Sequence, residues 1–328
     1  MTFNRIQSPA RSRRALILAA ALAWAGLPAA QAADYPTRPV RVIVPFAPGG
    51  ATDLIARIVS QKLSEKFGQQ FVVVNTPGAA GTIGANAVAR AEPDGYTLLV
   101  YHIAMVTTHH TQKDMPYDPI KSFTPISQLG DASNVVSVNV NVPAKNLAEL
   151  VALAKKSPGK FNFGSSGIGG SDHLGGELLQ QVTETKLTHV PYKGGGPAIA
   201  AIIGGEIELN AGTVAQAGPM IKAGRLRGLA VMQKERSPAL PDVPSAPEAG
   251  YPALDYTTWF GLWGPAKMPP DLVTAINGAV KEVLARADVR EALDKAGVEA
   301  KSSTPQEFDT RIRSQLQLWN KVLAGKFQ

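Results

Sequence analysis

Short apolar, β-branched runs alternate along this chain with amphipathic segments of helical period. Val40-Arg41-Val42-Ile43-Val44-Pro45-Phe46 is one such run, and it ends in Pro48-Gly49-Gly50, the pattern of a buried parallel strand entering a glycine turn. Leu54, Ile55, Ile58, Val59, Leu63 and Phe67 then recur on one helical face, and Gly68 supplies a C-terminal stop. The same unit recurs at Phe71 to Asn75 with a helix over 82–91, at Thr97 to Tyr101, and at Phe161 to Gly164 with a helix over 171–184. It recurs again at Leu187 to Tyr192 with 197–204, and at Ile207 to Ala211 with 215–223. This alternation predicts an α/β fold of parallel-rich sheets flanked by helices on both faces. Near the end, Thr304-Pro305-Gln306-Glu307 carries a capping box with proline at the first helical position, followed by an inward stripe of Phe308, Ile312, Leu316, Trp319 and Leu323.

Candidate chemistry gathers in the glycine-rich turns. In parallel α/β sheets a ligand sits beyond the carboxyl ends of the strands, where backbone N–H groups at helix N-termini carry partial positive charge and suit an anion. Phe46-Ala47-Pro48-Gly49-Gly50-Ala51-Thr52-Asp53 follows the first strand, and Thr52 or Asp53 can cap the helix. Gly78-Ala79-Ala80-Gly81-Thr82-Ile83-Gly84 follows the second, and Gly164-Ser165-Ser166-Gly167-Ile168-Gly169-Gly170-Ser171 is a third such turn. None has the spacing of a dinucleotide fingerprint or a P-loop. Three such turns in one fold predict a binding cleft.

The amino terminus changes the reading of composition. Arg5, Arg11, Arg13 and Arg14 precede an apolar stretch from Ala15 to Leu27, and Ala30-Gln31-Ala32 offers small residues for cleavage. Residues 1–32 are therefore expected to be a secretory signal peptide, with a twin-arginine route as the alternative to ordinary secretion, and the mature chain is expected in the periplasm. The apolar stretch is too short to span a bilayer of about 30 Å. The whole chain has 33 basic and 26 acidic residues; without the four leader arginines 29 face 26, so the net charge drops from +7 to +3. The remaining Lys and Arg are scattered, as at Lys155, Lys156, Lys222 and Arg225, which argues against nucleic acid. Cysteine is absent, excluding disulfides and thiolate chemistry. A mature length of roughly 295 residues exceeds the usual single core, so two lobes are expected. The Pro-rich stretch from Ser237 to Pro252 reads as a surface excursion near a lobe boundary.

Five segments in unbroken order also resemble a known family. VRVIVPFAPGGATDLIARIVSQKLSEKFGQQFVVVNTPGAAGTIGANAVARAEPDGYTLL, FNFGSSGIGGSDHLGGELL, THVPYKGGGPAIAAIIGGEIEL, RSPALPDVPSAPEAGYP and WFGLWGPA are similar to the substrate-binding proteins of tripartite tricarboxylate transporters, the Bug family. The resemblance implies a two-lobed periplasmic binding protein of type II: lobe 1 from 33–134 with 256–328, lobe 2 from 135–255, crossing strands between them, and a cleft that closes on a small carboxylate. It implies a membrane permease partner with one large and one small subunit, no cofactor and no catalysis, and a monomer is expected. Ligand contact is carried onto Phe46, Ala47, Pro48, Gly49, Gly50, Thr52 and Asp53 of the first turn, and onto Ser165, Ser166, Gly170 and His173 of the second lobe. It is carried also onto Lys193-Gly194 and the Trp259-Phe260 pair.

Departures from the family pattern bear on the ligand. Asn75-Thr76-Pro77-Gly78 stands where the family often has Asn-Arg-Pro-Gly, so a positive charge is missing. Tyr101-His102-Ile103-Ala104-Met105 replaces small polar residues, and Asn210-Ala211-Gly212-Thr213 stands where many members have Phe-Asp-Asn. His102, Gly212 and Thr213, with Gly81 of the second glycine turn, join the candidate ligand contacts. Reduced acidic character weakens an amino-acid ligand and favours a dicarboxylate or a ring-bearing acid. Adjacent His109 and His110 share no helix face and have no carboxylate at ligand spacing, so no metal site is read there. Lys193 has no partner base, and Gly164-Ser165-Ser166-Gly167-Ile168 lacks the last glycine of a nucleophile elbow, which leaves no catalytic centre. A ligand-sensing protein feeding a two-component sensor is the alternative function, and a cleft enzyme the less favoured one.

Overall fold

The computed structural model describes residues 1–2, 35–110, 112 and 114–322. The leader and its cleavage positions lie outside the described residues apart from Met1 and Thr2, as does Leu323. Among the described residues no helix is long and apolar enough to cross a membrane.

β1 (Val40–Val44) lies between β2 (Phe71–Asn75) and β3 (Thr97–His102), parallel to both. β9 (Thr257–Pro265) runs antiparallel to β3, and β4 (Phe123–Asn139) antiparallel to β9. The seventeen residues of β4 serve two sheets. Its first part, through Ser133, pairs with β9, and Gly130 to Ala132 also hold β10 (Val298–Ala300). From Asn134 onward its partners are β7 (Leu209–Thr213) and β8 (Leu226–Val231). β7 then pairs in parallel with β5 (Asn162–Ser165), and β5 with β6 (Thr188–Pro191). One long strand thus carries the chain from one sheet into the other, and the fold is the two-lobed α/β architecture. The parallel sheets expected from the alternation hold for β1, β2 and β3 and for β5, β6 and β7. β4, β8, β9 and β10 correct that picture: β4 leaves the first sheet for the second while β9 returns, so the two run in opposite directions.

The helices are α1 (Ala51–Phe67), α2 (Thr82–Ala89), α3 (Ala104–Thr107), α4 (Leu147–Lys156), α5 (Ser171–Thr183), α6 (Gly195–Gly204), α7 (Val214–Lys222), α8 (Pro270–Ala285), α9 (Ala287–Lys295) and α10 (Pro305–Val322). α1 buries Ile55, Val59 and Leu63, and Gly68 ends it in the left-handed region at φ 68. At the start of α10 the Glu307 N–H donates to Thr304 Oγ1 at 3.1 Å and the Thr304 N–H donates to Glu307 Oε2 at 2.8 Å. Both halves of the capping box are made, a contribution of about 1 kcal/mol. Phe308 and Ile312 are buried as the stripe predicts, but Leu316 and Trp319 are only half-buried. The loop from Ser237 to Pro252 is less of a surface excursion than its prolines suggest. Leu240 and Val243 pack in the second-lobe core with Val135, Val214 and Val231.

Candidate functional site

Four helices begin at the same place. α1, α5, α6 and α7 each follow the carboxyl end of a strand, and their N-caps are Gly50, Gly170, Gly194 and Thr213, none of which accepts a first-turn N–H through a side chain. The first-turn N–H groups of an α-helix have no partner within the helix, so four starts without an N-cap side-chain bond bring N–H donors and dipole ends together, although in α5 the Asp172 carboxylate takes up the Asp172 and His173 N–H groups. Gly50, Ala51 and Thr52 from α1, Ser171 from α5, Gly195 from α6 and Thr213 at the head of α7 line one enclosed cavity. No charged side chain is among its lining residues. The cavity is about 20 Å³, room for about one water.

The first turn is braced from behind. Gly49 sits at φ 88, and its N–H donates to Asp53 Oδ2 at 3.1 Å. Arg57 Nε donates to the same oxygen at 3.0 Å, while Asn75 Nδ2 bridges Asp53 Oδ1 at 2.9 Å and the Phe46 carbonyl at 3.0 Å. Burial works against the Asp53 charge, but these bonds from Arg57, Asn75 and Gly49 outweigh it and hold the carboxyl below its ordinary value. Asp53 is therefore occupied within its own lobe. Asp172 does the same in the second lobe, accepting the Ser166 N–H at 2.9 Å and the Ser166 hydroxyl at 2.7 Å. Burial pushes its carboxyl above the ordinary value.

Phe46, His102 and Phe260 form the aromatic wall. His102 opposes Phe260 in the β3 and β9 pairing, meets it edge-on at 6.0 Å, and stacks on Phe46 at 4.7 Å. The Ala104 N–H donates to His102 Nδ1 at 3.0 Å. Burial lowers its pKa to about 3, so the ring is neutral at physiological pH with its proton on Nε2. Across the cavity Thr213 Oγ1 is buried and has no hydrogen-bond partner among the described residues. Gln216 Nε2 donates to the Gly195 carbonyl at 3.1 Å.

The lobes touch through backbone on either side of this cavity. The Ala47 N–H donates to the Lys193 carbonyl at 3.0 Å. A Cβ on Gly194 would lie 2.9 Å from Ala47 N, and one on Gly196 would collide with the Pro48 carbonyl. On the other side Thr107 Oγ1 donates to the Gly169 carbonyl at 2.7 Å, and a Cβ on Gly167 would lie 3.0 Å from Ala80.

Of the candidate contacts read from sequence, Phe46, Gly50, Thr52, His102, Ser166, Thr213 and Phe260 meet in the cavity wall. Ala47, Pro48, Gly49 and Asp53 line a neighbouring pocket that shares Gly50 and Gln216 with the cavity, and the Lys193 carbonyl accepts the Ala47 N–H. Gly81 sits against the Tyr101 hydroxyl and Gly212 against the Asn210 amide, and neither is among the lining residues of the cavity. Gly170 is the N-cap of α5. Ser165 Oγ is 2.5 Å from His189 Nε2, and the Gly169 N–H donates to His173 Nδ1 at 3.0 Å. The His173 and His189 rings are 4.1 Å apart, and burial lowers their pKa values to about 3 and about 4. Trp259, one residue before Phe260 in a strand, faces the other way and packs on Trp263 and Phe308. His109 Nε2 is 3.0 Å from Asn320 Oδ1. Among the described residues no three His, Asp or Glu side chains are placed to hold a metal. Ala51 and Ser171, within the glycine turns singled out from the sequence, also line the cavity, as do Gly195 and Gln216, which the sequence reading missed although both lie near helix starts after strands.

The tripartite tricarboxylate transporter family receptor model matches residues 55–326. The protein BugT of Bordetella pertussis is 34% identical over 305 residues, 92% of this chain and 94% of its own. Among solved structures, one described as a periplasmic transporter is 43% identical with a TM-score of 0.86, covering 89% of this chain and 98% of its own. Rpa4515 of R. palustris, solved with adipate, is 33% identical with a TM-score of 0.85 over 88% of this chain and 97% of its own. MatC of Rhodopseudomonas palustris, solved with bound malate, is 31% identical with a TM-score of 0.83 over 88% of this chain and the whole of its own.

Proposed function

The chain belongs to the tripartite tricarboxylate transporter receptor family, the Bug proteins, and on that premise we propose that it captures a small organic carboxylate in the cleft and delivers it to a membrane permease. The observation that carries the carboxylate is the meeting of four helix N-termini without N-cap side-chain bonds in one cavity without a charged side chain in its wall. Such an array stabilises an anion through N–H dipoles alone. Adipate and malate, bound by the relatives Rpa4515 and MatC, are the first acids to try, and the aromatic wall extends the choice to ring-bearing acids. Lobe 1 takes residues 33–134 and 256–328 and lobe 2 takes 135–255. Ligand draws the two together, and the closed form is what a permease with one large and one small subunit recognises. Export through the leader puts the mature protein, a monomer, in the periplasm. The chemistry of the ligand is left unchanged.

A thermal-shift panel of mono-, di- and aromatic carboxylates tests the reading. A ligand at a hundredfold excess over its Kd adds about 2.7 kcal/mol and raises Tm. The bound acid is expected back intact after incubation. A panel that shifts nothing overturns the carboxylate, and a converted acid overturns the binding-only role.

A further inference from the structure

The carboxylate array leaves the other end of the ligand to be recognised, and there the chain presents one polar side chain set in an aromatic wall. Resting on the carboxylate reading above, we propose that His102 is the specificity-determining residue of the cleft: its Nε2–H selects a hydrogen-bond acceptor, such as a second carboxylate, at the far end of the ligand and disfavours an ammonium there.

Three observations carry this. The ring is held in place: it stacks on Phe46 at 4.7 Å with a 12° tilt and stands edge-on to Phe260 at 6.0 Å, so it cannot swing away without breaking both contacts. Its polarity is also fixed, because the Ala104 N–H already donates to Nδ1 at 3.0 Å. Nδ1 is therefore the acceptor, and the neutral imidazole carries its hydrogen on Nε2, a donor. A protonated ring would break the Ala104 bond, and burial, which lowers its pKa to about 3, keeps that form out. The neighbouring Tyr101 ring, 5.3 Å away, has its hydroxyl tied to the Ala80 carbonyl at 2.6 Å and offers the ring no charge.

The third observation is what the wall lacks. An ammonium in the cleft would need a carboxylate, and neither Asp nor Glu lines the cavity. The nearby acids are occupied, Asp53 by Gly49, Arg57 and Asn75, and Asp172 by Ser166. Thr213, 2% exposed and at the head of α7 in the same cavity, has a hydroxyl without a partner among the described residues, so the wall adds a second neutral donor and no carboxylate. A buried donor left facing an ammonium is unpaired and repelled, which costs far more than a missing contact.

Two probe series test this by calorimetry: succinate, butyrate and 4-aminobutyrate, then adipate, hexanoate and 6-aminohexanoate. Within each series the acid head is constant and only the far group changes. At least one diacid is expected to bind the purified protein about 10- to 100-fold tighter than its far-end methyl analogue, with the amino analogue weakest. His102→Phe keeps the stack on Phe46 and removes the donor. It should abolish the diacid preference, whereas His102→Gln, which restores an N–H, should recover part of it. Equal diacid binding by wild type and a folded His102→Phe protein overturns the assignment of His102 while leaving the carboxylate reading intact. No binding of any of the six probes by the wild type overturns both. If His102→Phe fails to fold, nitrogen-detected NMR of the wild type decides: an Nε2–H tautomer whose proton shifts on diacid addition supports the assignment, and an Nδ1–H tautomer or an unmoved signal overturns it.

Discussion

Adding one methyl group at Gly196 should separate closure from folding. Gly196 is the second residue of α6 in the second lobe, and a Cβ there would run into the Pro48 carbonyl of the first-lobe turn. The obstacle is backbone, so relief requires the lobes to stay slightly apart. Overpacking of this kind costs about 1–3 kcal/mol, which falls on the closed form and predicts a loss of affinity of about 5- to 150-fold. The open form meets no such contact and gains from alanine in a helix, roughly 0.4–1 kcal/mol through the unfolded chain. Gly196→Ala is therefore expected to leave the Tm of the free protein unchanged or raised by about 1–3 °C while the ligand-induced rise shrinks. Gly278→Ala in α8 is the control, because a Cβ at Gly278 meets nothing within 4 Å and should stabilise without changing affinity. Calorimetric titration and scanning of the three proteins with an acid that binds the wild type supply both quantities. A folded Gly196→Ala protein with wild-type affinity, or one destabilised equally with and without ligand, would refute the reasoning.

Two further outcomes follow from the cavity and the histidines. Thr213→Val removes a hydroxyl that makes no hydrogen bond among the described residues, so Tm should hold or rise while carboxylate affinity falls about tenfold, and unchanged affinity by calorimetry would place the ligand elsewhere. His102, His173 and His189 have folded pKa values lowered to about 3, 3 and 4 by burial, so they contribute stability that is present above pH 6.5 and lost as pH falls toward 4. Each contributes a slope of up to about 1.4 kcal/mol per pH unit in that window, and a Tm that stays flat from pH 7 to pH 4.5 would contradict the burial of all three.

The units with a local code were legible. Val40 to Val44 followed by Gly49 and Gly50 announces a strand and a tight turn before a helix, and that turn does head α1. The Thr304 to Glu307 capping box likewise declares its helix within four residues. β4 was not legible, because Pro125, Gly130, Asp131 and Asn134 read as loop; partners far away in sequence override them, and Pro125 is tolerated next to a register shift. β9 hides for a similar reason. Gly261 and Gly264 look like breakers, yet a Cβ at either would strike the Phe308 ring or the Met268 sulfur, which pack there only in the folded chain. At the site, the glycine turns pointed to an anion cleft, but Asp53 shows the limit of that reading. Its place beside Gly49 suggests a ligand contact, and only the fold reveals Arg57 and Asn75 occupying its oxygens. The stacking of His102 on Phe46, 56 residues apart in the chain, has no local signature at all.

Helix N-termini from both lobes hold the acid, and a crystal structure of the protein with the tightest-binding acid of the carboxylate panel decides this. Its carboxylate oxygens are expected within about 3 Å of first-turn N–H groups of α1 and of at least one of α5, α6 and α7, with the far end of the acid toward His102. An acid bound with its carboxylate on a lysine or arginine outside this cavity, or touching one lobe alone, would contradict it.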